Sequence, residues 1–123
     1  KLYFHTLNTT PMIVPKDNDS GTKDAGTFMK INLYNMKKAA LVLRALNHKL
    51  RQQILSLIDS EKNITVTEIY VRLRLEQSVA SQHLAILRRA GIVVTKRDGK
   101  FIHYNVNHKR LEEINHFVKQ LVD

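Results

Sequence analysis

SVASQHLAILRRAGI, residues 78–92, sets two serines, a glutamine, a histidine and two arginines among apolar residues over about four helical turns. Those side chains suit three chemistries: a Ser/His nucleophile pair, half of a metal site, or a surface for a long anionic partner. Which of them share a face decides among the three. At about 100° per residue, Val79, Ala80, His83, Ile86, Leu87 and Ala90 fall on one side of the helix. Ser78, Ser81, Gln82, Ala85, Arg88 and Arg89 fall on the other. His83 therefore projects with the apolar set, away from both serines, and no buried acid stands out to orient its imidazole. A satisfied, mostly buried histidine is the expectation there. The outer face suits DNA: serine and glutamine at the start of a recognition helix can reach base edges, and Gln can read adenine with two hydrogen bonds. Arg88 and Arg89 suit phosphate contacts or surface charge pairing. The alternative is a polar face that is merely solvated.

The segments on either side place this helix in a known order. Before it, TVTEIYVRLR predicts a short helix capped by Thr65 or Thr67, with Ile69 and Leu73 inward, and LEQ makes a tight connection. After it, Gly91 is a helix stop, and the apolar period switches from 3.6 to 2. IVVTKR and KFIHYNV flank Asp98-Gly99, a two-residue hairpin signal. Lys96, Arg97 and Lys100 cluster at the tip, giving a second basic contact beside the recognition helix. Further upstream, helical periodicity runs from residue 30 through Leu33, Met36, Ala40, Leu43 and Leu46. Asn47 or His48 interrupts it, and KLRQQILSLIDS continues as a second helix. HKRLEEINHFVKQLV closes the chain with Leu111, Ile114, Val118 and Leu121 as its apolar stripe. The expected fold is mostly α with a small β-hairpin wing: a winged helix-turn-helix in the order α-α-α-α-β-β-α, over residues 30–123. The terminal stripe is expected to lie outside the helix-turn-helix core and to need a partner, the alternative being that it packs only within its own chain. Residues 1–29 hold both prolines and half the glycines of the chain and are expected to be a loop-like extension, with Met12 and Met29 as candidate starts.

Composition agrees with a surface for an anion. Twenty Lys and Arg against eleven Asp and Glu give +9 and a pI near 10.0. Residues 1–30 hold four lysines and three aspartates, which leaves sixteen basic against eight acidic residues, or +8, on the other 93. The domain itself is basic, which points to nucleic acid or an anionic membrane surface. Apolar runs are far too short to span a bilayer. Cysteine is absent, which removes disulfides, thiolate metal sites and thiol switches. No secretory leader pattern is visible at the start, so a cytoplasmic protein is expected.

Over residues 33–122 the chain resembles the ArsR/SmtB family of bacterial winged-helix repressors. RALNHKLRQQILSLI is similar to the family's second-helix signature at Ala45, Leu46, Arg51, Ile54 and Leu55, with His48-Lys49 where an Asp-Pro is usual. QSVASQHLAILRRAGIV follows the recognition-helix pattern at Gln77, Ser78, Ser81, His83, Leu84, Leu87, Ala90, Gly91 and Val93. RDGKFIHYNV matches the wing, with Tyr104 after the glycine. The resemblance implies a homodimer joined through its first and last helices (Leu33, Met36, Leu43, Leu111, Ile114, Val118, Leu121) on a palindromic operator in double-stranded DNA. It also implies no enzymatic activity, and an inducer or partner protein of unknown identity.

The family's metal chemistry is not expected to carry over. Its Cys-Val-Cys box falls on Thr65-Val66-Thr67, and hydroxyls cannot replace soft thiolates. Its Asp-x-His pair falls on His108-Lys109-Arg110 and its downstream His on Leu121. No cofactor is therefore expected. One pattern remains: His108, Glu112 and His116 stand at successive i, i+4 positions, and two such helices meeting in a dimer can offer nitrogen and carboxylate ligands to Zn²⁺ or Ni²⁺. A solvated polar flank is the competing reading. His5 and His103 are further candidate ligands without a spacing argument, and His108 with His116 makes the dimer helix a candidate pH sensor. Two other functions stay open: a winged-helix protein-interaction module, and an architectural DNA binder without sequence preference.

Overall fold

The computed structural model describes residues 30–123 and the backbone of Thr27–Phe28; the expectations for residues 1–26, His5 and Met12 included, and for Met29 lie outside the described residues. β1 (Thr27–Phe28) pairs antiparallel with β2 (Ile31–Asn32), and α1 (Leu33–Leu46) follows. The first helix thus begins three residues later than its periodicity suggests. Asn32 sets the boundary, because its Oδ1 accepts the Asn35 N–H at 3.1 Å and satisfies a donor that the helix leaves orphaned. The chain divides into two units, Lys1–Leu41 and Val42–Asp123.

From Val42 onward the elements are the end of α1, α2 (Lys49–Glu61), β3 (Ile64–Thr65), α3 (Val66–Leu73), α4 (Gln77–Arg89), β4 (Val93–Asp98), β5 (Phe101–Val106) and α5 (His108–Val122). The strands form one antiparallel sheet in the order β3-β5-β4. The two-residue β3 is an addition to the expected order. Ile64 pairs with Tyr104 and Thr65 with His103, so the wing is anchored at its base to the start of α3. The hairpin turn also differs by one position. Asp98 pairs with Phe101, leaving Gly99 and Lys100 as the central residues. The positive φ of 67° falls on Gly99 and not on Lys100, the arrangement of a Gly-X type II′ turn, which matches strand twist.

Capping explains the other boundaries. His48 precedes α2, and its Nδ1 accepts the Arg51 N–H. Thr65 precedes α3 in a reciprocal box: its hydroxyl accepts the Glu68 N–H at 3.3 Å, while the Glu68 carboxylate accepts the Thr65 N–H at 2.9 Å. That backbone bond, ahead of the Thr65 hydroxyl, holds the Glu68 carboxyl below its ordinary pKa. The core is built where α2, α3, α4 and β4 meet, with Ile54, Ile58, Ile69, Leu84, Leu87, Ile92 and Val93 fully buried. Each such side chain contributes about 1.5–3 kcal/mol.

The terminal stripe does not lie wholly outside this core, as the sequence suggested. Ile114 is buried in it, and Leu111 and Val118 pack against it, as does Leu43 from α1. Asn107 and Arg110 pull the first turns of α5 inward: Asn107 Nδ2 donates to the Gly91 carbonyl at 3.1 Å and Arg110 Nε to the Ala90 carbonyl at 3.2 Å. Apolar exposure on α5 is instead concentrated at its end, at Phe117, Leu121 and Val122. On α1, Leu33 is half-buried while Met36 and Leu41 are exposed.

Among the described residues one charged side chain is buried. Arg51 is 8% exposed. Its Nε donates to the Ala45 carbonyl at 2.8 Å, its Nη2 to the Arg44 carbonyl at 3.2 Å, and its Nη1 to His83 Nδ1 at 3.2 Å. A guanidinium only donates, so His83 is held neutral with its proton on Nε2. Burial first, then the neighbouring His48 and Arg51, lowers the pKa of His83. The His48 and His83 rings lie 4.9 Å apart.

Arg51→Met should destabilise the fold by about 2–3 kcal/mol in urea unfolding, since it strands buried carbonyls. Arg51→Lys should recover only part of this, because an ammonium cannot span the same fork. His83 gives a signed pH dependence. Its folded pKa lies below that of the unfolded chain, so the stability it contributes is complete above about pH 6.5 and is lost as pH falls through the folded value. Melting curves between about pH 7.5 and 5 should therefore decline less for His83→Gln, which keeps an acceptor for Arg51 but does not titrate, than for the wild type.

Candidate nucleic-acid interface

The turn between α3 and α4 fixes how the recognition helix is presented. Arg74 closes α3 in the left-handed conformation (φ 57°, ψ 47°), and its N–H and that of Leu75 return to carbonyls of the last turn of α3. α4 then starts after Glu76, which supplies no side-chain cap. Ala80, Leu84 and Leu87 turn into the core. Gln77, Ser78, Ser81, Gln82, Arg88 and Arg89 are all exposed. The outer face read from periodicity is the outer face in the structure. Arg88 and Arg89 occupy the last turn of α4, where the negative end of the helix dipole favours cations whatever else they touch.

His83 is half-buried on the inner side and engaged with Arg51, so it orients α4 rather than activating Ser78 or Ser81. The sequence pattern missed the converse point, that Arg51 belongs to the machinery. A lone arginine on a helix carries no periodic sign of burial, and only the apolar residues around it (Leu50, Ile54, Leu55) hinted at one.

Lys96, Arg97 and Lys100 are exposed, but they do not form one cluster. Paired residues of an antiparallel sheet share a face. Lys96 lies opposite His103, whereas Arg97 lies opposite Ile102 on the other face. Lys100 sits in the turn, with its Nζ 5.7 Å from the centroid of the Phe101 ring. The wing thus offers cations on both faces and at its tip.

Thr65 caps α3, and His108 Nε2 pairs with Asp59 on α2 at 2.9 Å. Among the described residues no group of three or more His, Asp or Glu side chains is placed to hold one ion, so His108, Glu112 and His116 do not converge within one chain. His103 Nδ1 is bonded to the Asn63 carbonyl. No helix among the described residues is long and apolar enough to cross a membrane.

Comparison with known proteins agrees with this geometry. Residues 48–95 match the model of the bacterial regulatory protein arsR family. The transcriptional activator HlyU of Vibrio cholerae is 42% identical over 74 residues, covering 59% of this chain and 67% of HlyU. The transcriptional repressor PagR of Bacillus anthracis is 32% identical, over 69% of this chain and 85% of PagR. The solved structure of HlyU from Vibrio cholerae superposes with a TM-score of 0.55 at 32% identity, covering 72% of this chain and 97% of that one. With a polar recognition helix, a cationic wing and these relatives, the chain belongs to the arsR family of bacterial regulatory proteins and is a winged helix-turn-helix, DNA-binding transcriptional regulator.

Proposed function

We propose that the protein is a homodimeric repressor that occupies a palindromic operator and blocks access to the promoter. The observation that carries this reading is the outer face of α4, where Ser78, Ser81 and Gln82 are exposed together beside a cationic wing. Ser78, Ser81 and Gln82 read base edges in the major groove, while Gln77 lies near the backbone. Arg88 and Arg89 and the wing residues Lys96, Arg97 and Lys100 hold phosphates or the adjacent minor groove. Two copies, joined through apolar residues of the first and last helices, set their recognition helices about one DNA turn (~34 Å) apart. Phe117, Leu121 and Val122 are the exposed apolar residues that α5 offers for that contact. No metal or other cofactor takes part, since the thiolate positions are threonines and His108 is engaged by Asp59. An inducer or partner protein shifts the dimer out of its binding geometry. The protein acts in the bacterial cytoplasm, on the nucleoid.

Repression is chosen because occlusion requires nothing beyond operator binding. The activator HlyU represents the other outcome, and transcription in vitro from the cognate promoter separates the two. Fluorescence anisotropy on duplex from the region upstream of its own coding sequence should show a preference of about a thousandfold over scrambled duplex at physiological salt. Equal affinity for both would favour an architectural binder, and no affinity for either would favour an interaction module.

Gln82→Ala should reduce discrimination between operator and scrambled duplex by about 1–3 kcal/mol. Lys100→Ala should weaken both alike and lower the salt slope by about 0.9 per protomer, or about 1.8 for the dimer. For the dimer, Leu121→Glu should raise the dissociation constant about tenfold or more in sedimentation, with operator affinity falling in parallel.

A further inference from the structure

Two consecutive non-glycine residues, Lys62 and Asn63, hold φ values of 54° and 51° where α2 turns into β3. Side-chain residues adopt that region only when their surroundings hold them there. The wing does so. The Asn63 N–H donates to Asn105 Oδ1 at 2.9 Å, and Asn105 Nδ2 donates back to Asn63 Oδ1 at 2.7 Å. His103 Nδ1 completes the clasp on the Asn63 carbonyl at 2.9 Å. Beside it Asn63, Lys96, Arg97, Asp98 and His103 line an open notch of about 410 Å³.

The clasp determines which nitrogen of His103 carries a proton. A carbonyl only accepts, so Nδ1 must donate, and the neutral ring keeps its lone pair on Nε2. Nε2 becomes a donor only when the ring is cationic. A phosphodiester oxygen also only accepts, so it is repelled by the neutral form and bonded by the cation. The charged groups on the face of the ring are Lys96 and Asp98 from β4 and Glu68 from α3, while Arg97 reaches the notch from the residue between them. Glu68 is already committed to its helix cap, and Lys96 balances Asp98 on the face of the ring, so the cationic imidazole supplies the net positive charge.

We propose that this notch is a proton-dependent phosphodiester site, in which cationic His103, clasped by Asn63 and paired across the ribbon with Lys96, binds one backbone phosphate of duplex DNA. The proposal rests on the reading of the protein as a duplex-DNA binder. It adds a contact that the sequence did not assign, and it couples wing binding to proton uptake at one named atom. Asn63 is a positioning residue in this scheme.

The test is the salt dependence of binding by wild type, His103→Gln and His103→Lys, measured by anisotropy on the upstream duplex and on a scrambled duplex, at about pH 5.5 and about pH 8. Wild type should show a log–log salt slope steeper at acid pH by about 0.9 per protomer, or about 1.8 for the bound dimer. The scrambled duplex should show the same difference, because a phosphate carries no sequence. His103→Gln should remove the difference, and His103→Lys should keep the steep slope at both pH values. A wild-type slope indifferent to pH, or a difference that persists in His103→Gln, overturns the inference while leaving the DNA-binding reading in place. Failure of the wild type to bind either duplex overturns both.

Discussion

The guanidinium of Arg51 is the constraint on which the DNA-reading face depends. It sits inside the protein, where an unpaired charge is costly, and it is satisfied by groups from two other helices. The carbonyls of Arg44 and Ala45 lie at the end of α1, where a helix leaves its acceptors unused. His83 lies in the middle of α4. One side chain of α2 therefore terminates α1 and orients α4. Gln82 is the neighbour of His83, about 100° round the helix. Fixing the histidine inward fixes the glutamine and Ser81 outward, so the buried polar network and the exposed recognition face are one geometric decision.

How much of this was legible follows from the length of the pattern each element offers. α5 spans the stretch HKRLEEINHFVKQLV read from its sequence, and the inner and outer faces of α4 fall as its periodicity indicates, because each supplies several turns of apolar repeat. β3 is two residues long and too short for any period to show. The hairpin was legible, but its turn moved by one residue because the positive φ had to fall on glycine at the first central position. The stripe on α5 was read correctly as apolar and wrongly as free. Periodicity shows that Leu111, Ile114 and Val118 need cover, but it does not say whether the same chain supplies it.

The outer residues of α4 and the cations of the wing contribute little to the fold. Ser78, Ser81 and Gln82 are exposed, and Lys96 and Arg97 point to opposite sides of a two-stranded ribbon. The interior supplies stability through α2, α3, α4 and β4, so these positions are free to be chosen for what they touch. Thr65 shows the opposite case. Its hydroxyl and backbone are both used in capping α3, so the side chain serves the fold itself.

Three contacts meet where α4 passes into β4, and they tie α5 to both the helix-turn-helix and the wing. The Asn107 N–H donates to the Ile92 carbonyl at 2.8 Å, its side chain to Gly91, and the Arg110 guanidinium to Ala90. Gly91 has a φ of 77°, and a Cβ there would stand 3.4 Å from Arg110 Nε. The junction thus combines a conformation natural to glycine with a close approach, and it has little slack. A displacement of the first turn of α5 must stretch these bonds or move the end of the recognition helix and the start of the wing together. Any signal that acts through α5 has here its shortest hydrogen-bonded route to the DNA face, and demonstrating its use would require two arrangements of this junction with different operator affinities.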